Sequence, residues 1–204
     1  MPRPKSLTPQ AIAAAALTVI DRDGLAALSM RAVATELTLT TMALYRYVDD
    51  RVHLERLVVD LVLADLDVTP PRGTWQKQLS VLMERARRAV SAHPGVTPLT
   101  LSHRQDSDGV RRLGEAMLST LASAGFHGQR RVIALRTLLA YLVGVLQAQH
   151  LGSLSGPGTA SLAAQGDYPL LAQAARTART VSPEREFQSG LKIVLAGLSV
   201  RPTV

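Results

Sequence analysis

Residues 29–47 hold the densest set of groups able to reach a base edge or a phosphate. Thr41, Met42, Tyr45, Arg46 and Tyr47 fall mostly on the outer side of a short helical pattern whose inner side carries Leu44 and Val48. Hydroxyls, a guanidinium and an apolar tip on one helix face suit contact with a nucleic-acid groove. Other chemistries find no comparable set. His53, His93, His103, His127 and His150 lack metal-ligand spacing, and no nucleophile elbow, phosphate loop or glutamate–histidine pair appears. The chain is expected to bind rather than catalyse, with no cofactor and no metal.

Two helices either side of a tight break must position those groups. Ser29 can cap the first, along which Ala32, Val33 and Leu37 recur at roughly helical spacing, and Thr40 or Thr41 can cap the second. This is a helix-turn-helix, whose second helix is the part that enters the major groove. Upstream, Thr8 and Pro9 open a helix to about residue 22, with Ile12, Leu17 and Ile20 inside and Gly24 as a left-handed stop. Downstream, Asp50 can cap a helix over 51–67 with Leu54, Leu57, Val58, Leu61 and Val62 along one side. The run VTPPRGT then marks a boundary.

The second half begins at Trp75 with a helix to about residue 92, ended by His93-Pro94-Gly95. Leu79, Leu82, Met83, Ala86 and Val90 are expected inside it, and Arg85, Arg87 and Arg88 mostly outside. A short helix near 97–101 and longer ones over 109–125 and 129–150 follow. The last is apolar on more faces than one neighbour can cover. Residues 152–166 are rich in Gly, Ser and Ala and read as a mobile loop, before helices over 169–179 and 183–198. The fold class is all-α: 47% of residues are hydrophobic but only 3% aromatic, and no strand-like alternation persists.

The 204 residues allow one large domain or two small ones. Cysteine is absent, which excludes disulfides and thiolate metal sites. With no segment judged apolar enough to span a bilayer and no signal core, a cytoplasmic protein is expected. The net charge of +7 is uneven, since residues 1–66 carry seven basic against eight acidic groups. A basic face for DNA must therefore come from Arg3, Lys5, Arg31, Arg46 and Arg51 together.

In this context GLAALSMRAVATEL (24–37) and ALYRYVDDRVHL (43–54) resemble the signature of the tetracycline-repressor family of bacterial transcription regulators. The second half resembles the tetracycline repressor's own branch through Trp75-Gln76, SAHPG (91–95), AGF (124–126), YPLLAQA (168–174) and FQSGLKIVLAGL (187–198). The resemblance implies a homodimer on a palindromic double-stranded operator, released by a small effector. It implies a DNA-binding domain over 1–50, a connecting helix over 51–67, and an effector-binding and dimerisation domain over 75–204. The dimer bundle would use 129–150 and 184–198.

Carried over by position, the resemblance makes Arg31 a guanine reader, for which its two-pronged fork is suited. Thr41, Met42 and Ala43 fall on base-reading positions, the last two able to give apolar contacts only. Tyr45, Arg46 and Tyr47 match base or phosphate contacts, Thr40 belongs to the same DNA-binding set, and Arg51 matches the lysine that holds the connecting helix on the backbone. Met30 replaces a phosphate-contacting threonine, and Thr38 replaces a turn glycine, at a cost of roughly 1 kcal/mol for a left-handed backbone. The polar drug and magnesium positions hold Leu82, Ala86, Thr100, Met117, Ala140 and Ala148. Leucine, methionine and alanine do not ligate magnesium. The effector is therefore expected to be apolar or aromatic, lying against Leu82, Ala86, Met117 and Ala140, with His103, Tyr141, Gln147 and Arg104 as candidate anchors.

Competing readings stand beside these. Arg31, Arg46 or Arg51 could each be a surface or ion-paired arginine, with Asp49 and Asp50 as neighbours. The Met83, Met117 and Leu stripes of the second half read as plain core ahead of a ligand box, because helical periodicity alone produces them. Whole-chain alternatives are a basic helical protein binding nucleic acid without sequence preference, and a helical small-molecule binder with a degenerate reading head.

Overall fold

The first four helices each start at a side chain that captures an otherwise orphan backbone N–H. Thr8 accepts from the Ala11 amide at 3.2 Å and opens α1, Pro9–Asp23. Ser29 accepts from Ala32 at 3.1 Å for α2, Met30–Glu36, and Thr40 from Ala43 at 3.2 Å for α3, Thr41–Leu44. Asp50 accepts from His53 at 2.7 Å for α4, Arg51–Val62. In this computed structural model the described residues are 7–151, 157–164 and 167–199.

The breaks follow from backbone geometry. Gly24 ends α1 with φ +85°, as a glycine stop requires, but its ψ of 162° is extended rather than left-handed helical. Thr38 sits at φ +55° in the turn between α2 and α3, the conformation for which a glycine would be usual. Its amide donates to Thr35 and that of Leu39 to Ala34, so the turn is hydrogen-bonded despite the strain.

Helix α4 stops five residues before the expected 67. The Arg112 guanidinium donates to the carbonyls of both Leu63 and Ala64 at 3.1 Å, satisfying the helix end from 48 residues or more away. Leu63 and Leu66 beyond it are buried.

The second half forms α5 Trp75–Ser91, α6 Thr97–Ser102, α7 Asp108–Ser123, α8 Gly128–Leu151, α9 Pro157–Ala163, α10 Pro169–Ala178 and α11 Pro183–Ser199. No strand occurs among the described residues. All five expected apolar positions of α5 are buried, and Pro94–Val96 turns the chain after it. Arg87 corrects the expected outer face: it is 5% exposed, held by Glu84. The loop expected over 152–166 contains α9, where Pro157 stands at the first helical position and Ala160, Leu162 and Ala163 favour the helix that packs on α10. Residues 152–156 and 165–166 lie outside the described residues.

Contacts divide the chain into two units, Met1–Val68 with Arg88–Gly114 and Thr69–Arg87 with Glu115–Val204, so α5 and α7 each contribute to both. In the first, α1 packs on α2 and α4 and α2 on α3, around Ile12, Val19, Leu28, Val33, Leu44, Val48 and Leu54. In the second, Leu79, Leu82, Met83, Met117, Leu138, Phe187 and Leu191 are buried. Helix α8 departs from the expectation that no segment reaches a bilayer span: Gly128–Gln149 has a mean hydropathy of 1.5 over its most apolar window. Little of that window is buried within the single chain, and Ile133 is 61% exposed.

Candidate nucleic-acid interface

Leu44 and Val48, both fully buried, pin the short α3 and the turn after it, and this turns Met42, Tyr45, Arg46 and Tyr47 outward. Met42 is 76% exposed, far above what a core methionine shows, and both tyrosines are about half exposed. Thr41 and Ala43 are half-buried at the edge of this face and Thr40 is exposed before it. Its Oγ1 serves the Ala43 amide as a cap, so it works first as a local structural group.

Arg31, on α2, and Arg46 are exposed, and neither guanidinium has a partner among the described residues. Their acidic neighbours are occupied elsewhere, since Asp49 lies 3.3 Å from His53 and Asp50 caps α4. Arg22 is different: hydrogen bonds to Asp23 and then Glu36 hold it charged and tie the end of α1 to α2. Met30 is buried, and its thioether side chain offers no hydrogen-bond donor to a phosphate.

Arg51 is neither free nor merely solvated. Its Nε donates to Glu55 Oε1 at 2.9 Å and its Nη2 to the Leu25 carbonyl at 3.3 Å. The other Glu55 oxygen lies 2.9 Å from His103 Nε2. Glu55 was not among the residues singled out from the sequence, although its i,i+4 spacing from Arg51 was legible there.

The candidate effector residues fall in different surroundings. Leu82, Ala86 and Met117 are in the closed core of the second unit, Gln147 is half-buried and Ala140 is exposed. Tyr141 stacks on Phe187 with ring centroids 5.6 Å apart and donates its hydroxyl to the Phe187 carbonyl at 2.8 Å. Burial first, and then Glu186, push its pKa above the usual tyrosine value. His103 belongs to the first unit, is 6% exposed, and faces Glu55. The second unit also carries an open groove of about 490 Å³ lined by Leu170, Gln173, Ala174, Thr177, Ala178, Val181 and Glu186, none of them among the sequence candidates.

Comparison with known proteins extends this geometry. Residues 69–201 match the family model described as "Tetracyclin repressor-like, C-terminal domain". The chain is 28% identical over 221 residues to the HTH-type transcriptional repressor DrrR1 of Streptomyces coeruleorubidus, covering 98% of this chain and 79% of that protein. It is 28% identical over 175 residues to an HTH-type transcriptional regulator of Saccharopolyspora erythraea, covering 81% and 74%. Among solved structures, apo ActR from Streptomyces coelicolor superposes with a TM-score of 0.81 at 27% identity, covering 96% of each chain. ActR has also been solved in complex with actinorhodin.

Proposed function

The chain belongs to the tetracycline repressor-like family of transcriptional regulators, and from that premise we propose a ligand-responsive repressor that binds a palindromic operator as a homodimer. It is a binding protein, not an enzyme. The carrying observation is the outward face of α3. Met42 on α3 and Tyr45, Arg46 and Tyr47 in the turn after it, together with Arg31 on α2, are exposed on a buried scaffold, and neither of the two guanidinia has a partner among the described residues. Arg31 reads a base edge, Thr40, Thr41, Met42 and Ala43 line the groove contact, and Tyr45, Arg46, Tyr47 and Arg51 meet bases or phosphates. The protein acts where the chromosome is, in the cytoplasm.

Residues 1–50 form the reading head, 51–67 the connector and 75–204 the effector and pairing region. The exposed apolar residues Val132 and Ile133 of α8 and Ile193 of α11 support pairing of two copies through these helices. Leu82, Ala86 and Met117 are closed in the core, so an apolar or aromatic effector would have to open that core to reach them, shifting α4 and favouring the form that fits DNA poorly. The actinorhodin complex of ActR supports a small-molecule effector for a relative of this fold.

Binding of the purified protein to duplex DNA from its own upstream region, against a scrambled copy, tests the reading at physiological salt. Preference for the native fragment, with Arg31→Ala relaxing base preference and Arg51→Ala weakening all sequences alike, is the expected result. Equal binding to both fragments, with a steep salt dependence, would replace it by nonspecific electrostatics.

A further inference from the structure

Helix α4 is gripped along its length by residues 103–112. His103 Nε2 reaches Glu55 at 2.9 Å, Ser107 Oγ donates to Asp60 at 2.7 Å, and the Asp108 amide donates to the same Asp60 oxygen at 3.1 Å. Arg112 caps the carbonyls at the far end, and Gly109 lies so close to Leu63 that a Cβ there would collide with it. The lower grips hold α4 as a body. Only the His103 grip leads on to a side chain proposed to touch DNA.

We infer that His103 is a positioning residue for operator binding, acting through Glu55 on Arg51; this rests on the repressor reading above. An ionised carboxylate can only accept, so the His103 ring nitrogen is the donor to Glu55 Oε2. The bond fixes the carboxylate plane, and Oε1 of the same group receives Arg51 Nε. The Leu25 carbonyl receives Arg51 Nη2, which leaves the Nη1 edge as the part of the fork with no partner among the described residues. Two acceptors on different elements thus set the direction of that edge, and a donor in a third element sets one of the acceptors. His103 closes α6, so displacement of α6 removes the donor, lets Glu55 rotate, and leaves Arg51 without its aim. His103 therefore belongs to the DNA-affinity machinery rather than to the effector contacts.

A double-mutant cycle on the full-length protein tests this. His103→Ala should weaken binding to the upstream duplex roughly tenfold and lower the salt slope by about one phosphate contact per reading head. In an Arg51→Ala background the same substitution should cost nothing further, and His103→Gln, which keeps a donor for Glu55, should restore most of the affinity. A general destabilisation would act equally in both backgrounds, and that additivity would overturn the inference, as would full affinity in His103→Ala. A DNA-free readout separates this from failure of the repressor reading. In 15N-labelled protein the Arg51 Nε–H resonance should be exchange-protected in wild type and His103→Gln, and lost in His103→Ala. Retention of protection in His103→Ala would overturn the inference whether or not the duplex binds.

Discussion

Replacing Arg87 by methionine isolates the one arginine of α5 that the fold turns inward. Its Nε and Nη2 donate to the two oxygens of Glu84 at 2.9 and 3.0 Å, and its guanidinium lies 5.3 Å from the centroid of the Phe187 ring. The Glu84 bonds, acting against burial, raise its pKa, so the side chain is charged at every accessible pH. Removing one partner of a buried ion pair costs about 3–5 kcal/mol, because the other charge stays behind uncompensated. Glu84 keeps 15% of its side chain exposed and has a further interaction besides Arg87, so both recover part of this and about 2–3 kcal/mol is expected for Arg87→Met. With a urea slope of about 2 kcal/mol/M, the midpoint should fall by roughly 1–1.5 M. Trp75, the only tryptophan, sits in the same unit with its ring 5.2 Å from that of Phe126, so its fluorescence reports the relevant unfolding. Protein concentration must be held constant, since pairing of chains adds to apparent stability. Arg87→Met combined with Glu84→Gln should recover part of the loss, because the buried carboxylate that has lost its two bonds to Arg87 is then no longer charged. A midpoint within about 0.3 M of wild type for Arg87→Met, or strict additivity of the two substitutions, would refute the ion-pair account.

Thr38→Gly relieves a β-branched residue at φ +55°, roughly 1 kcal/mol, but loses the hydroxyl bond to the Leu37 carbonyl and loosens the unfolded chain by about 0.4–1 kcal/mol; a near-neutral change, within about 0.5 kcal/mol, is expected in chemical denaturation, and a loss above about 1 kcal/mol would show that the turn is unstrained. Tyr141 has its folded pKa raised above the ordinary value of about 10, so its contribution is complete below that pH and declines as pH rises past it. Tyr141→Phe should make the fall in melting temperature as pH rises above about 10 shallower, and an unchanged slope there would refute this. Gly190→Ala places a methyl against the Tyr141 ring and hydroxyl, which the Phe187 carbonyl holds in place, and should cost about 1–3 kcal/mol by thermal melting, less in a Tyr141→Phe background. Magnesium with tetracycline should leave the melting temperature unchanged, since Leu82, Ala86, Met117 and Ala140 supply no oxygen ligands; a shift of several degrees at saturation would disprove this.

The local features of this chain were legible residue by residue. Thr8, Ser29, Thr40 and Asp50 cap their helices as expected, because a cap needs only a short polar side chain and an amide three residues on. The family resemblance, rather than the local sequence, marked Thr38 as a left-handed turn residue, whereas the buried stripe of α5 followed from spacing alone. The outward face of α3 was legible too, since Leu44 and Val48 fix its opposite side. Tertiary structure decided what depends on partners remote in sequence. Arg87 turns inward because Phe187 lies beside it, the end of α4 is set by Arg112, and His103 finds Glu55 across 48 residues. A helical period shows which residues share a face, but the stability of a charge on that face depends on what the rest of the chain brings to it.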